Sequence, residues 1–266
     1  MKFNTYNTLL CTAILLTSAM ATTVAAQTSQ EKGFALSKEA KVRDTGWGDM
    51  QAAMTMTLKN KQGEEDMRHI RIKSFEVKSD GDKSLTVFDR PRDVKGTAFL
   101  SFSHALTPDE QWLYLPSLKR VKRISSRNKS GPFMGSEFAF EDMSSFELEK
   151  YTYNYLEDAA CGLGQCFVVE QIPAEKGSGY TRRVVYIGQE HYRIDHIDFY
   201  DRKSTRLKTL TFDNYQQYLG QYWRAIDQQM VNHQNGKQTR LTLSDIEFRT
   251  GLTEGDFNKN SLKRAR

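Results

Sequence analysis

From residue 50 onward the sequence consists mostly of short segments in which apolar and polar residues alternate, separated by turns rich in Gly, Asp, Asn and Ser. Alternation with a period of two is typical of β-strands, and short connections favour antiparallel neighbours. About a dozen strands in succession predict one long sheet, and a sheet of that length curls. The predicted strands are 50–58, 67–77, 85–88, 97–103, 112–115, 120–124, 148–155, 166–171, 180–187, 194–200, 207–212, 222–231 and 238–248.

One helix is predicted before the strands, over residues 29–43, and Gly46 follows its end. We expect it to lie across one face of the sheet. A curled antiparallel sheet with a helix over its mouth is a half-barrel with a hollow. The predicted fold is therefore mainly β, with a meander order of strands and a short helix or loop lid over the concave face.

The strands at 97–103 and 112–115 are apolar on both faces. Phe99 alternates with Ala98, Leu100 and Phe102, while Trp112 and Tyr114 alternate with leucines. A strand of this kind needs cover on both sides, from packed helices or from an apolar ligand. A stripe of Met residues on 50–58 fits either an ordinary core or the adaptable wall of a lipid site. The residues that we predict to line an apolar cavity are Met54, Met56, Phe99, Phe102, Trp112 and Tyr114.

Two neighbouring segments are candidate surfaces. The basic run after Pro116 fits a charged edge strand that resists aggregation, or a dock for acidic headgroups or an acidic partner. The run 131–140 places aromatic residues between glycines, which suits a lid over an apolar pocket. The docking candidates are Lys119, Arg120, Lys122 and Arg123, and the lid candidates are Phe133, Met134, Phe138 and Phe140.

Residues 89–143 also carry a family resemblance. The runs 91–100, 109–124 and 128–143, with weaker matches at 44–60 and 199–212, are similar to the periplasmic outer-membrane lipoprotein-sorting-like proteins of Gram-negative bacteria. This branch of the LolA/LolB superfamily is often encoded beside RND-type (MMPL-like) exporters. The resemblance implies a half-barrel that binds lipid or lipoprotein acyl chains, with an RND/MMPL exporter or an outer-membrane acceptor as partner and only transient membrane contact.

The amino terminus reads as a secretory signal peptide over residues 1–26. Lys2 precedes a short apolar core, and Val24-Ala25-Ala26 forms a small-x-small cleavage site. Cleavage after Ala26 leaves 240 residues, which we interpret as a single carrier domain, 27–266, in the periplasm. The tail, 256–266, has only Phe257 and Leu262 as apolar anchors, which is typical of a frayed end, although a minority of such tails bind membranes or partners.

Charge and cysteine usage agree with export. The mature part holds 37 basic and 33 acidic residues, a mildly basic balance far from that of a nucleic-acid binder. Once Cys11 is removed with the signal, Cys161 and Cys166 remain in an oxidising compartment. The glycines between them allow a tight reversal, so a disulfide that pins a hairpin is predicted.

Motifs for catalysis, metals and cofactors are missing from the sequence. There is no G-x-S-x-G, no H-E-x-x-H, no phosphate loop and no dinucleotide fingerprint. His191 and His196 would fall on opposite faces of a strand, so no metal site is predicted. Ser103-His104 near Asp109 could mimic a catalytic arrangement, although a histidine beside acids is more often a turn residue. The expectation is a protein without catalytic residues or cofactor.

Three hypotheses about function follow. The first is a periplasmic carrier that shields the acyl chains of a lipid or lipoprotein inside a curled sheet. The second is an accessory subunit of an RND/MMPL exporter that binds its partner and carries no lipid. The third and weakest is a lipid hydrolase that uses His104. The sequence does not distinguish a lipoprotein from a phospholipid, sterol or hopanoid as cargo.

Overall fold

The computed structural model describes residues 1–2, 27–125 and 127–264. The predicted signal peptide, with Cys11 and Ala26, lies outside the described residues apart from its first two positions. The chain that follows begins with a helix and continues as a single large sheet.

Helix α1 spans Ser29–Arg43, as predicted. Thr28 caps its amino terminus: the Thr28 hydroxyl accepts a hydrogen bond from the Glu31 amide at 3.2 Å, and the Glu31 carboxylate accepts one from the Thr28 amide at 2.9 Å. This reciprocal capping satisfies amides that have no partner within the helix. α1 lies over the strands near one edge of the sheet, where the Gln171 amide donates to the Ser37 hydroxyl at 3.2 Å.

The described residues form thirteen strands in one antiparallel sheet, which confirms the predicted β-rich half-barrel. Period-two alternation located every strand, and most bounds agree within about three residues. The strands are β1 (Asp49–Lys59), β2 (Glu65–Phe75), β3 (Lys83–Arg90), β4 (Ala98–Phe102), β5 (Glu110–Leu115), β6 (Arg120–Ile124), β7 (Tyr151–Cys161), β8 (Gly164–Pro173), β9 (Arg182–Gly188), β10 (Ile194–Tyr200), β11 (Arg206–Tyr218), β12 (Tyr222–Asn232) and β13 (Gln238–Phe248).

The strand order differs from a simple meander. It runs β6-β5-β4-β3-β2-β1-β13-β12-β11-β10-β9-β8-β7, so the first and last strands pair in the middle of the sheet. Two meanders are therefore joined at β1 and β13, where Met54 lies opposite Leu243. The connection from β6 to β7 is long rather than short. This long segment can cross the sheet, and it covers one face.

The two faces of the sheet have different covers. We call inner the face that carries Met54, Ile70 and Phe99, and outer the face that carries Leu100 and Trp112. The segment between β6 and β7, which we call the lid segment (127–150), packs on the inner face beside α1. It contains short 3₁₀ helices at Phe133–Gly135, Phe140–Met143 and Leu148–Lys150. The last of these occupies the first three positions of the predicted strand 148–155. The observed strand β7 starts after it, at Tyr151.

The carboxyl-terminal segment covers the apolar part of the outer face. It contains 3₁₀ helices at Glu254–Asp256 and Lys259–Arg264. Elsewhere in the chain, a 3₁₀ helix at Pro116–Leu118 connects β5 to β6. Phe257 and Leu262 are 4% and 0% exposed and pack against Leu100 and Trp112. The expectation of a frayed tail was therefore wrong for these residues. Phe257 and Leu262 cover the apolar outer face of β3–β5. The sequence had predicted that this face needs a cover, without indicating which segment supplies it.

Candidate ligand-binding cavity

A cavity of about 1060 Å³ lies between the inner face and its cover. This volume is at the upper end of the range of about 300–1,000 Å³ for small-molecule sites. α1 and the residues around Met143 form its roof. Its floor is an apolar strip contributed by strands from both meanders. The strip contains Met54, Ile72, Val185, Ile187, Ile197, Phe212, Leu241 and Leu243.

Charged side chains surround one end of the cavity where α1 meets the segment before β7. Lys41 donates a hydrogen bond to the Phe146 carbonyl at 2.8 Å and forms an ion pair with Glu147. Burial, with smaller contributions from the carboxylates of Glu147 and Glu76, raises the pKa of Asp82 to about 7. The contacts of Lys41 connect α1 to the segment before β7, so the two parts of the cavity roof are joined.

The predicted lining residues are divided between the two faces. Met54 lines the cavity. Met56 and Phe99 face the same side but are 0% and 1% exposed in the core beneath the lid segment. Because Met56 and Phe99 are enclosed by protein, they support the inner face without forming a wall of the open space.

The remaining three predicted lining residues lie on the outer face. Phe102, Trp112 and Tyr114 belong to the cluster under the carboxyl-terminal segment, and the Phe102 and Trp112 rings are 5.2 Å apart. They do not line the cavity. Phe99 and Phe102 are separated by three positions and so point to opposite sides, and Trp112 lies opposite Leu100 rather than Phe99 in the sheet register.

The lid candidates pack against the inner face. Phe133 and Phe138 are buried, and Met134 and Phe140 are partly buried against the same core. The Phe133 ring lies 5.0 Å from the ring of Phe99 and 5.6 Å from that of Phe140. Of the four, only Phe138 lines the cavity. The lid residues therefore fill the inner face over β3 and β4, and the open cavity begins beside them.

The docking candidates lie together at the β6 edge of the sheet. Lys119, Arg120, Lys122 and Arg123 are all exposed. Arg123 pairs with Glu110 at 3.2 Å, whereas the other three form no ion pair with any residue that the structure describes. Leu118, beside them, is 62% exposed. The edge therefore presents three unneutralised cations and one apolar side chain to solvent.

The predicted disulfide between Cys161 and Cys166 is present and closes the turn between β7 and β8. Asp195 lies beside it, and the two sulfur atoms and a carboxylate oxygen lie within 4.8 Å of one another. The sulfur atoms are bonded to each other and are not available as thiolate ligands. The disulfide covalently links the two strands of this hairpin next to its turn.

The region around His104 does not form a Ser-His-Asp arrangement. Its Nδ1 atom lies 2.5 Å from a carboxylate oxygen of Asp80, and its Nε2 atom lies 3.9 Å from one of Glu110. The hydroxyl of Ser103, which is buried, accepts a hydrogen bond from the Ser145 amide at 2.9 Å. Two acids, rather than a serine and an acid, therefore flank this histidine.

Sequence reasoning missed all four arginines that line the cavity, and two of them, Arg183 and Arg193, form no ion pair with any described residue. Arg183 lies on β9 and donates to the Gln171 side chain at 2.7 Å, while Arg193 lies in the turn before β10. A signal for Arg183 existed, because it precedes the inward-facing Val185 and Ile187 by two and four positions. Arg193 lies outside any alternating pattern, and only the folded chain brings it to the wall.

The comparison with solved structures identifies the family. Over 88% of its length the chain matches the whole of a domain from Vibrio parahaemolyticus that carries the name outer membrane lipoprotein-sorting protein domain. The two are 61% identical, with a TM-score of 0.87. The chain belongs to the outer-membrane lipoprotein-sorting domain family. This confirms the resemblance of residues 89–143 to lipoprotein-sorting proteins, whereas the association with RND-type exporters stays a prediction.

Further comparisons find a family model and, at lower identity, two solved structures of the same fold. A family model described as an uncharacterized protein matches residues 80–264. A DUF1329 family protein from Desulfovibrio piger is 26% identical with a TM-score of 0.84, over 88% of this chain and 99% of that one. A LolA superfamily protein from Nitrosomonas europaea shares the fold at 19% identity and a TM-score of 0.69, over 88% of this chain and 99% of that one. No curated protein matches the sequence.

The described part of this family member contains no helix that is both long and apolar enough to cross a membrane.

Proposed function

We propose that the protein is a periplasmic carrier that holds the acyl chains of a lipid or lipoprotein and moves them toward the outer membrane. The observation that supports this most directly is the cavity of about 1060 Å³, floored by apolar side chains and roofed by α1 and the lid segment. A relative of the same fold carries the name of lipoprotein sorting. Carriage of this kind needs no catalytic residue.

The apolar floor can supply the binding energy. Burying one methylene contributes about 0.8 kcal/mol, so a C16 acyl chain contributes on the order of 10 kcal/mol before the ordering costs of binding. Stable carriage therefore requires few polar contacts. Release would then depend on a partner or on competing insertion into a membrane.

The basic edge supports transient contact with an acceptor. Lys119, Arg120 and Lys122, which form no ion pair with a described residue, would attract anionic headgroups or an acidic protein surface. The partner in this proposal is an RND/MMPL-type exporter of the inner membrane or an acceptor at the outer membrane.

Native mass spectrometry of protein extracted from the periplasm tests the carrier function. Wild-type protein should arrive with lipid mass attached. The double variant Ile72→Trp and Ile197→Trp, which places bulk on the cavity floor, should lose that mass. The control is Met67→Trp with Leu156→Trp, two sites that are 52% and 47% exposed, and it should keep the lipid.

The accessory-subunit alternative rests on the same exposed basic edge and predicts a different result. Under it, wild-type protein carries no lipid mass, and the two tryptophan double variants bind the exporter equally well. Lipid on the wild type that is lost only from the floor variant excludes this alternative.

A further inference from the structure

Arg193 is a cation of the cavity wall that is held by aromatic rings instead of a carboxylate. Its guanidinium lies 4.5 Å from the centre of the Trp223 ring and 5.2 Å from that of Tyr215. The Nε atom is buried and has no hydrogen-bond partner among the described residues. Arginine remains charged in proteins, and a buried donor without a partner is costly. The protein therefore holds a positive charge in the wall of the cavity, and one donor of that guanidinium is buried without a partner among the described residues.

Most other cations of the cavity wall are already neutralised. Lys41 pairs with Glu147, Arg224 with Asp44, Arg43 with Glu39 and Lys83 with Glu254. Within the part of the chain that the structure describes, Arg193 forms no ion pair. An anion that enters the cavity would meet at Arg193 a charge with no competing carboxylate within ion-pair distance.

The surroundings of Arg193 indicate the class of anion. The next residue is Ile194, which lies opposite Ile187 in the sheet, and both line the cavity together with Ile197. A small inorganic ion would leave this apolar floor unfilled, whereas an amphiphile would occupy both parts of the site. Guanidinium groups bind phosphate and carboxylate oxygens through paired, charge-assisted hydrogen bonds.

We propose that Arg193 binds the anionic headgroup, a phosphate or a carboxylate, of a lipid whose acyl chain lies on the cavity floor. This inference rests on the proposed carrier function and adds the class and the orientation of the cargo. The headgroup lies against Trp223 and Tyr215, and the chain extends along the floor over Ile187 and Ile197. Neutral lipids with the same chain then bind more weakly.

Arg183 provides a matched control. It lines the same cavity and forms no ion pair within the described part of the chain, and its guanidinium stacks over the Tyr151 ring at 4.1 Å. Its Nε atom is already used by Gln171. Arg183 lies four residues from Ile187 along β9, roughly 14 Å at the usual strand rise, so one headgroup does not reach both ends.

The test measures binding by calorimetry with the full protein freed of lipid. The probes are 1-palmitoyl lysophosphatidic acid, 1-palmitoylglycerol and inorganic phosphate, which separate the charge from the chain. Wild-type protein should bind the lysophosphatidic acid about 10-fold more tightly than the palmitoylglycerol, and inorganic phosphate much more weakly than both. Arg193→Gln should abolish the preference and leave palmitoylglycerol binding unchanged. Arg183→Gln should retain the preference.

Each other result has a definite meaning. Equal affinity of the wild type for the two lipids overturns the headgroup assignment and leaves the carrier function standing. Loss of the preference in Arg183→Gln as large as in Arg193→Gln overturns the assignment to Arg193. Inorganic phosphate that binds as tightly as the lipid overturns the lipid as ligand. Failure of both lipids to bind contradicts the carrier function itself. A thermal melt of each variant verifies that it is folded.

Discussion

Lys208 on β11 and Asp142 in the lid segment form an ion pair of 2.7 Å whose side chains are only 4% and 7% exposed. Lys208 also donates to the Glu137 carbonyl at 2.7 Å, and Asp142 accepts from the Tyr180 hydroxyl at 2.8 Å. Burial, together with the nearby Asp142 and Glu141, raises the pKa of Tyr180 well above its usual value, so its hydroxyl remains a donor. This network pins the lid to the sheet.

Breaking one side of this pair should destabilise the protein. Lys208→Met leaves the Asp142 carboxylate buried without its counter-charge, and we expect a loss of roughly 3–5 kcal/mol in the free energy of unfolding. Urea denaturation measures this loss. The double variant Lys208→Met with Asp142→Leu should recover most of it, because neither charge is then buried alone. Strictly additive losses in the double variant would show that the two residues do not act as a pair.

Gly33 should resist replacement by alanine although it lies inside a helix. A Cβ atom at this position would lie 2.7 Å from the Tyr155 amide nitrogen and 2.9 Å from the Asn154 carbonyl carbon. Helix propensity alone favours alanine by about 1 kcal/mol. We nevertheless expect Gly33→Ala to lose about 1–3 kcal/mol, because α1 must move away from β7.

Thermal or urea denaturation of Gly33→Ala checks the sign of this effect. Ala35→Gly, at an exposed position of the same helix, serves as the control and should lose only about 1 kcal/mol from propensity. A stabilised Gly33→Ala protein would contradict the close approach of α1 to β7.

The protonation of Asp82 should make stability depend on pH. Burial raises its pKa from 3.8 to about 7, so between these values the folded state holds a proton that the unfolded state has released. The stabilising contribution is complete below about pH 4 and is lost as pH rises through 7. Relative to Asp82→Asn, the wild type should lose stability with rising pH by up to about 1.4 kcal/mol per pH unit.

Urea denaturation of both proteins at pH 5, 6, 7 and 8 measures the Asp82 difference. Asp93→Asn, an exposed site after β3, should run parallel to the wild type over this range. A difference between wild type and Asp82→Asn that does not change with pH would rule out Asp82 as the titrating group.

Membrane attraction should depend on the basic edge. Replacing Lys119, Arg120 and Lys122 by Gln removes three exposed charges, each worth about 1 kcal/mol near an anionic surface. We expect roughly 100-fold weaker binding to phosphatidylglycerol vesicles in co-sedimentation at low salt, and little binding of either protein to phosphatidylcholine.

A second triple variant separates position from net charge. Lys61→Gln, Lys203→Gln and Lys237→Gln remove the same charge at exposed sites away from the β6 edge, so binding should be nearly unchanged. Equal losses in the two triple variants would mean that overall charge, and not this edge, attracts the vesicle.

The carboxyl-terminal cover should contribute to stability. Leu262 is fully buried against the outer face, so Leu262→Ala should lose about 2–5 kcal/mol. Differential scanning calorimetry measures the loss, with the exposed Leu219→Ala as the control. A Leu262→Ala protein that melts like the wild type would mean that the segment is detached in solution.

The sequence by itself determined the local structure. Period-two alternation predicted the strands. The bounds of α1, which Thr28 and Glu31 cap, were predicted correctly. The Cys161–Cys166 spacing predicted the disulfide across a hairpin. These signals depend on residues within a few positions of one another. The apolar character of both faces of β4 and β5 also required two covers, and two covers are present.

The tertiary structure decided what those strands enclose. The pairing of β1 with β13 joins residues about 190 positions apart and builds the cavity floor from both meanders. The strand register pairs Trp112 with Leu100, which places Trp112 on the outer face, whereas Phe99 lies on the inner face. The lid aromatics lie in the core of the inner face, and the Lys208–Asp142 ion pair holds their segment against the sheet. Arg193 lies in a turn and reaches the cavity wall through contacts with Tyr215 and Trp223. These residues are distant in sequence, so no local pattern specifies its position.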